Sequence, residues 1–283
     1  MPNIITNFEP AEVLKFIADK QQSPATACAY LGTDAADIAG DLGELDQPWE
    51  STTKVVLDDN RNITGVILAE WDLDLNRAEI YGPWTDSIPI AVELLADTLA
   101  DSPVQNNYLY APVGNELITA ATQRLGFLPG DLTFEMEHAR DIGLGGEIPT
   151  LSIIRNATLA DTAAIETIHD AEFPDTYATA ADLLDPDGRY HTVVYEKAGQ
   201  VVGYLAYQLG TTSYLDFIAV SPEHRGQGIG RALITALIDI VKSSPKATNL
   251  TLTADSADVV KFYESLGFQV ISTNRSYLLQ SGS

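Results

Sequence analysis

The sequence predicts an α/β (α+β) protein made of two tandem domains, each with a mixed, mostly antiparallel sheet flanked by helices. Three observations support this fold class. The chain has 283 residues, about the length of two domains. Its two halves share one pattern of apolar and turn residues. In the second half, short alternating segments typical of strands are interleaved with longer segments of helical periodicity.

The internal repeat consists of three pairs of segments that occur in the same order. Residues 193–203 lie 138 positions after residues 55–65, and both segments read as a strand, a polar turn and a second strand opening at glycine. The helical segment 88–99 and the Leu-Gly-Phe triplet at 125–127 both return 141 positions later. Each copy is too long for a solenoid repeat, which favours a duplicated domain.

We therefore place the first domain at residues 1–140, a glycine-rich linker at 141–149 and the second domain at 150–283. The periodicities and stop signals of the second domain predict, in chain order, a strand (151–155), a helix capped by Thr158 and Asp161, a loop (172–177), a short helix ending before Pro186, three antiparallel strands (191–196, 201–208 and 214–220), a long helix (about 226–241), a strand (249–253), a helix (257–266) stopped by Gly267, and a hairpin (268–271 and 275–279).

Composition limits the partners and the compartment. The chain carries 16 Lys and Arg against 40 Asp and Glu, a formal charge of −24. This charge serves solubility, and it also repels phosphate backbones and anionic lipids, so nucleic acid and membranes are not expected partners. Cationic small molecules or basic peptides are favoured. The single cysteine, Cys28, excludes an internal disulfide, and no signal-peptide pattern is visible, so a cytoplasmic location is predicted.

A glycine-rich turn joins the strand at 214–220 to the long helix. It contains Gly226, Gly228 and Gly230. Backbone N–H groups at a helix start bind anions, and glycines let the main chain approach a bulky diphosphate. Arg225 and Arg231 add positive charge to the turn. The Lys-Ser/Thr pair of the nucleotide P-loop is absent, and the glycine spacing does not fit the dinucleotide fingerprint.

The turn resembles motif A of the GCN5-related N-acetyltransferases (the GNAT family), Arg/Gln-x-x-Gly-x-Gly/Ala, here read from Arg225 to Gly230. About 40 residues later, the segment from Phe262 to Phe268 resembles motif B of the same family. The resemblance covers residues 150–283. It implies two tandem GNAT-like folds, the second of them an acyl-CoA-dependent N-acetyltransferase that uses acetyl-CoA as cosubstrate.

The resemblance also implies roles for individual residues. The backbone of the strand before the turn pairs with the pantetheine arm through Ile218, Ala219 and Val220. The pyrophosphate is held by the turn, whose residues are Arg225, Gly226, Gln227, Gly228, Ile229, Gly230 and Arg231. Tyr263 of motif B protonates the departing thiolate. Ser256 stands where the family often has asparagine, and it is assigned to a cofactor contact.

The reaction also needs a base to deprotonate the acceptor amine, and a carboxylate suits this step. Asp216 is the preferred candidate because it shares a strand face with Tyr214, and Glu172 in the preceding loop is the second. Equally, Asp216 can be an ordinary solvated strand residue. The loop at 172–177 is expected to border the acceptor site. No histidine has a partner at metal-ligand spacing, so no metal site is predicted, and His169, His191 and His224 are interpreted as surface or helix-end residues.

In the first copy, residues 84–89 stand at the position that corresponds to the glycine-rich turn of the second copy. All three glycines and both arginines are missing, and Asp86 would repel a phosphate, although it suits a helix cap. The first half is therefore predicted to be a degenerate copy that binds no CoA. Its predicted role is to pack on its sibling and shape the acceptor cleft.

Two functions are consistent with these features. The first is transfer of an acetyl group from acetyl-CoA to a primary amine of a small molecule or peptide. It would proceed by direct attack in a ternary complex, because the second half has no cysteine to carry an acyl-enzyme. The alternative is a non-catalytic acyl-CoA-binding or interaction module whose acceptor site is blocked. Neither the acceptor nor the oligomeric state is predicted.

Overall fold

The structure is a computed structural model that describes residues 3–139, 152–174 and 176–280, so the predicted linker at 141–149 lies outside the described residues. The chain forms two compact units. Unit 1 comprises Met1–Thr133 and Ser272–Ser283, and unit 2 comprises Phe134–Ile271. This division differs from the contiguous one expected from the sequence, because the last strand of the chain belongs largely to unit 1.

Unit 1 is a six-stranded sheet flanked by helices. Its elements are β1 (Asn3–Ile5), α1 (Pro10–Gln21), α2 (Ala35–Gly43), β2 (Lys54–Leu57), β3 (Ile63–Asp72), β4 (Arg77–Thr85), α3 (Ile88–Asp101), β5 (Asn106–Pro112), α4 (Glu116–Leu125), the start of β6 (Leu128–Ala139) and most of β12 (Gln269–Gln280). The sheet order is β1-β2-β3-β4-β5-β12. The β4–β5 pair is parallel, and the other pairs are antiparallel.

Unit 2 repeats this topology. Its further elements are β7 (Ser152–Asn156), α5 (Thr162–Glu172), β8 (His191–Lys197), β9 (Gln200–Gln208), β10 (Thr212–Val220), α6 (Ile229–Ser243), β11 (Asn249–Ala254) and α7 (Ala257–Glu264). The sheet order is β7-β8-β9-β10-β11-β6. Again the fourth and fifth strands, β10 and β11, are parallel and the others antiparallel. The predicted fold class and the internal duplication are thus confirmed at the level of topology.

The sheet of unit 2 separates two apolar cores. Leu233 and Leu237 of α6 are fully buried against one face, as their spacing on one side of a helix requires. Ile165 of α5 and Tyr204 of β9 belong to the core on the other face. The two faces of the sheet are therefore committed to different helices, and this fixes which side each β10 side chain faces.

Three local predictions need correction. The closing hairpin is wrong, because residues 269–280 form the single strand β12; pairing of Asn274 with Pro112 of β5 keeps this segment extended. The long helix begins at Ile229 rather than near 226, since Gly226 and Gly228 have φ values of 72° and 80°. The short helix before Pro186 is a single 3-10 turn, Asp182–Leu184.

Within the residues that the structure describes, no helix has both the length and the hydropathy needed to cross a bilayer.

A 3-10 turn, Leu159–Asp161, leads directly into α5 and begins with a capping box formed by Thr158 and Asp161, the two residues that the sequence predicts as caps. Asp161 accepts hydrogen bonds from the backbone N–H and the hydroxyl of Thr158, at 2.8 and 2.9 Å. Arg155 of β7 donates to both carboxylate oxygens of Asp161, at 2.8 and 2.9 Å. The hydrogen bonds from Arg155 hold the pKa of Asp161 well below its usual range. This network ties α5, which ends at Glu172, to the edge of the sheet.

We expect Asp161→Ala to lower the free energy of unfolding of the protein by about 1–2 kcal/mol, because the turn that leads into α5 loses its capping box and Arg155, among the described residues, keeps only the Glu196 carboxylate as an ion-pair partner. Urea denaturation at pH 7 measures the difference, with the exposed Asp170→Ala on the same helix as the control. A carboxyl whose pKa is depressed in the folded state contributes its full stabilisation above the unfolded-state pKa and loses it as the pH falls towards the folded-state pKa, so the difference should begin to shrink below about pH 4. Equal stabilities of the two variants at pH 7 would contradict this role.

Candidate active site

The parallel strands of unit 2 separate part of the way along. Residues 212–215 of β10 pair with residues 249–252 of β11, whereas β10 continues along β9 as far as Val220. The backbone at 216–220 therefore has no ladder with β11. Between the diverging strands lies a cleft of about 730 Å³.

The cleft brings together most of the site residues predicted from the sequence. Those that line it are Glu172, Asp216, Ile218, Ala219, Val220, Arg225, Gly226, Gly228, Ile229, Gly230, Arg231 and Tyr263. Gln227 and Ser256 are not among the lining residues. The Ser256 hydroxyl instead caps α7, where it accepts a hydrogen bond from Val259 N–H at 3.4 Å.

The glycine-rich turn at residues 225–231 has the backbone geometry that its glycines allow. A short 3-10 turn, Pro222–His224, follows β10, and the Ser221 hydroxyl and His224 Nδ1 lie 3.0 Å apart across it. Gly226 and Gly228 are both left-handed, a conformation that costs other residues about 1–2 kcal/mol. The first helical bond of α6 runs from Ala232 N–H to Gly228 O, so the N–H groups before Ala232 precede the helical ladder. The helix start therefore presents these amides at the end of the cleft.

Three cationic side chains surround this turn. Arg225 donates from Nε to Val220 O at 3.0 Å and forms an ion pair with Glu172. Arg231 donates to the Ser265 hydroxyl at 2.8 Å, at the end of α7. Lys197 reaches the turn from the end of β8 and donates to Gln227 Oε1 at 2.7 Å. Lys197 was not predicted as a site residue, because nothing in its local sequence indicates contact with a turn 30 positions away.

A β-bulge places Asp216. The pairing of β10 with β9 shifts register between Leu215 and Phe217. Leu215 belongs to the core under α6, whereas Phe217 belongs to the core under α5, although alternation alone would put both on one face. The inserted residue, Asp216, is half-buried beside Phe217 and lines the cleft. The bulge therefore turns a carboxylate towards the point where the strands separate.

Two further side chains fix the Asp216 carboxylate. Gln208 of β9 donates from Nε2 to Asp216 Oδ1 at 3.0 Å, and the Tyr177 hydroxyl donates to the same atom at 3.3 Å. The Tyr177 ring packs on Phe217 with centroids 5.1 Å apart, while 64% of the residue is exposed. The predicted loop at 172–177 thus contacts the preferred base through Tyr177; its Asp175 lies outside the described residues. Gln208 was missed because cross-strand partners depend on the register.

The tyrosine of motif B lies in the opposite wall of the cleft. Tyr263 of α7 is only 5% exposed, and its ring packs against Phe268 and Phe262. Burial, reinforced by the Asp255 carboxylate, raises the pKa of Tyr263 well above its usual value. Its hydroxyl is therefore protonated at neutral pH, the state required of a proton donor.

The same applies to Tyr214, whose hydroxyl donates to Thr253 Oγ1 at 3.0 Å across the two strands. Burial raises the pKa of Tyr214 to about 12. Tyr214 therefore offers a second protonated hydroxyl near Asp216.

Glu172, the second candidate base, lies at the other end of the cleft. It pairs with Arg225, which also contacts the carbonyl of Val220. Val220 is four residues beyond Asp216 on β10, and four residues of extended strand span about 13 Å. The two candidate carboxylates are thus associated with opposite ends of the β10 segment that lines the cleft.

The histidines carry no metal site. Among the described residues there is no group of three or more His, Cys, Asp or Glu side chains arranged to hold a metal ion. His169, interpreted from the sequence as a surface or helix-end residue, is buried near the end of α5. Its ring nitrogens lie 2.5 Å from the Tyr204 hydroxyl and 2.8 Å from Ala178 O. His169 therefore anchors the chain that follows α5.

The equivalent region of unit 1 is built differently. Only Asp86 and Ser87 separate β4 from α3, and Pro89 occupies the first turn of that helix. The expected cap at Asp86 is wrong: Ser87 is the N-cap residue, and Asp86 pairs with Lys20 at 2.6 Å. No glycine turn can be formed over so short a connection.

In unit 1, the segment around Ala29 lies against the part of β5 that does not pair with β4. Residues 106–109 of β5 pair with β4, and further along the strand Tyr110 O accepts a hydrogen bond from Ala29 N–H at 3.1 Å. The Gln21 carboxamide oxygen accepts from Cys28 N–H at 2.7 Å and from the Trp84 indole at 3.0 Å. Gln21 thus joins the segment beside β5 to β4. The position 141 before Tyr263 is Thr122, which has no phenol to donate.

Comparisons with known proteins agree with this geometry. The family described as acetyltransferase (GNAT) domain matches residues 158–277. The chain is 31% identical over 137 residues to the L-methionine sulfoximine/L-methionine sulfone acetyltransferase of Salmonella typhimurium, covering 41% of this chain and 80% of that protein. It is 32% identical over 107 residues to the N-alpha-acetyltransferase RimI of Mycobacterium tuberculosis, covering 36% of this chain and 65% of the relative.

Coverage of other relatives is shorter. The [ribosomal protein bS18]-alanine N-acetyltransferase of Escherichia coli is 43% identical over 61 residues, 21% of this chain and 41% of that protein. The chain thus spans less than two thirds of this enzyme and of RimI.

Solved structures share the fold along the whole chain. A GCN5-related N-acetyltransferase from Sphaerobacter thermophilus has a TM-score of 0.76 at 15% identity, covering 99% of this chain and 97% of that one. A tandem GNAT protein from the clavulanic acid biosynthesis pathway has a TM-score of 0.70 at 13% identity, covering 100% and 99%. Together with the 31% identity over most of the Salmonella enzyme, the domain match at 158–277 establishes that the chain belongs to the GCN5-related N-acetyltransferase (GNAT) family.

Proposed function

We propose that unit 2 transfers an acetyl group from acetyl-CoA to a primary amine by direct attack in a ternary complex. One observation carries the proposal. A single cleft has a left-handed glycine turn and a helix start at one end, and a carboxylate and a protonated phenol, Asp216 and Tyr263, in its walls. An anion site and an acid–base pair are the two components that this reaction requires.

The residues of the cleft suit acetyl-CoA. The amides of the turn and the start of α6, from Gln227 to Arg231, would hold the pyrophosphate, with charge supplied by Arg225, Arg231 and Lys197. The backbone of β10 at 218–220, which β11 does not pair, would bind the pantetheine arm. The Ser256 hydroxyl is a poorer candidate for a cofactor contact than the sequence suggested, since it caps α7.

The protein contributes two proton transfers to the proposed reaction. Asp216 accepts a proton from the acceptor ammonium, which frees the lone pair of the nitrogen for attack on the acetyl carbonyl carbon. A C–N bond forms and the C–S bond breaks, and the thiolate of CoA takes a proton from Tyr263. The proton that the nitrogen loses as it becomes an amide restores the Tyr263 hydroxyl through solvent. Asp216 suits its part because Gln208 and Tyr177 already orient the carboxylate. No step needs an acyl-enzyme or a metal ion.

The acceptor is proposed to be a primary amine of a small molecule or of a peptide. The relatives are named for acceptors of both kinds, an amino-acid derivative and the alanine of a ribosomal protein. A formal charge of −24 favours acceptors that approach as cations.

Unit 1 is proposed to be a degenerate copy that binds no CoA. Three features support this: a two-residue connection in place of the glycine turn, the Asp86 carboxylate at the helix start, and the segment around Ala29 hydrogen-bonded to β5. The domains would then follow the two units, with the catalytic domain at 134–271 and the C-terminal strand contributing to unit 1.

The acetyl-transfer proposal is tested by a panel of primary amines assayed for thiol release from acetyl-CoA. We expect Tyr263→Phe to lower kcat by about 10- to 100-fold, since a thiolate leaves fairly well without an acid. Tyr195→Phe, which also removes a buried hydroxyl but lies outside the cleft, is the control. Because its pKa is raised, Tyr263 should cause no loss of rate below about pH 10. CoA binding without thiol release above hydrolysis would support the non-catalytic module instead.

Asp216→Asn should lower kcat/KM by about a hundredfold or more and leave acetyl-CoA affinity nearly unchanged, because it removes the base without touching the turn. Steady-state kinetics with the best acceptor provide the measurement, and Asp239→Asn on the exposed face of α6 is the control. A rate equal to that of the control would remove Asp216 from the mechanism.

Gly228→Glu should weaken CoA binding by more than about a hundredfold, because a carboxylate would stand beside the pyrophosphate and repel it. Gly228→Gln carries the same left-handed strain without the charge and should lose only about tenfold. Calorimetric titration with CoA compares the two, and thermal unfolding verifies that both fold. Unchanged affinity in the glutamate variant would refute the proposed anion site.

The same titration reports the stoichiometry. We expect one CoA per chain in the wild-type protein and a single, weakened site in Gly228→Glu, because among the described residues the glycine turn belongs to unit 2. A second site that survives in the variant would show that unit 1 also binds the cofactor.

A further inference from the structure

The Arg225 side chain bridges two groups of the cofactor cleft. Its Nε donates to Val220 O at 3.0 Å, at the end of β10. Its Nη2 forms an ion pair with a carboxylate oxygen of Glu172, the last residue of α5. The guanidinium is therefore held between the helix and the strand by two acceptors, and all three residues line the cleft.

Both contacts compete with those that acetyl-CoA would make. A guanidinium donates to a carboxylate and to a phosphate through the same pair of N–H groups. Glu172 therefore accepts from the N–H donors of Arg225 that a pyrophosphate would use. The Val220 carbonyl belongs to the backbone segment proposed to bind the pantetheine arm. Glu172 also adds a negative charge beside the turn, which repels phosphates.

We propose that Glu172 is an antagonist of cofactor binding rather than a base: it and Arg225 form a latch across the cleft that the pyrophosphate of acyl-CoA must open by displacing the carboxylate. The proposal rests on the proposed function, since it takes acyl-CoA as the ligand of this cleft. It assigns Glu172 to cofactor affinity and leaves proton removal to Asp216, which lies about 13 Å along the strand from Val220, the residue whose carbonyl Arg225 contacts.

The latch has a modest expected strength. The side chains of Arg225 and Glu172 are 51% and 39% exposed, so water and salt screen the pair. Partly exposed ion pairs change an equilibrium by roughly two- to fivefold. The latch would therefore tune the affinity for acyl-CoA without preventing its binding, and its effect would decrease as the ionic strength rises.

The test measures CoA affinity of the purified full-length chain by calorimetric titration, with no acceptor and no turnover. Glu172→Gln should bind CoA about two- to fivefold more tightly than the wild type. A substitution in a binding cleft ordinarily weakens binding, so a gain in affinity would be informative. Glu166→Gln removes the same charge from an exposed position on the same helix and controls for long-range electrostatics. The gain should shrink at 0.5 M salt.

A second background tests the partner. In Arg225→Gln protein, Glu172→Gln should no longer tighten CoA binding, because the arginine that the carboxylate holds is gone. Glu172→Asp, one methylene shorter, supplies a conservative variant if the glutamine variant is unstable, and should show part of the gain.

The outcomes separate this inference from the proposed function. Affinity in Glu172→Gln that equals or falls below that of Glu166→Gln, while the wild type binds CoA, overturns the latch alone. A Glu172→Gln protein that keeps its CoA affinity but loses kcat returns Glu172 to the role of base. A wild-type chain that binds no CoA overturns the proposed function, and the latch with it.

Discussion

The divergence of β10 from β11 after Leu215 is the constraint on which the candidate site depends. As long as two parallel strands are paired, their backbone groups are satisfied and no ligand can enter between them. Beyond Leu215, the edge of β10 that faces β11 forms no ladder with it. The cleft lies there, between the two strands. The bulge at Asp216 occurs at this same point, so the carboxylate is presented where the cleft begins.

Local features of the sequence predicted that a glycine-rich turn precedes the long helix, and the structure contains that turn. Glycine adopts the left-handed backbone conformation more easily than other residues because it has no Cβ atom. The positions of Gly226 and Gly228 in the sequence therefore already indicated a turn before a helix. The capping box at Thr158 and Asp161 was equally local. Most of the residues assigned by the resemblance indeed line one cleft.

The sequence-based predictions failed where residues far apart in the sequence determine the local structure or the side-chain contacts. Residues 268–279 looked like a hairpin, but antiparallel pairing with β5 holds the whole stretch extended. Lys197 reaches Gln227 across 30 positions, and Gln208 reaches Asp216 only because of the register of β9 and β10. Such contacts have no signature within a short window of sequence, and neither does the membership of residues 272–280 in unit 1.

The last strand of the chain has a consequence for synthesis. Residues 274–280 pair with β5 and supply the sixth strand of the sheet in the amino-terminal unit. Nascent domains usually fold one after another as they emerge from the ribosome. Until residues 274–280 have been synthesised, the sheet of unit 1 has an open edge at β5, and its closure spans well over a hundred residues of sequence separation. This arrangement favours slow, late consolidation, and it makes residues 274–280 a structural requirement of the unit that is synthesised first.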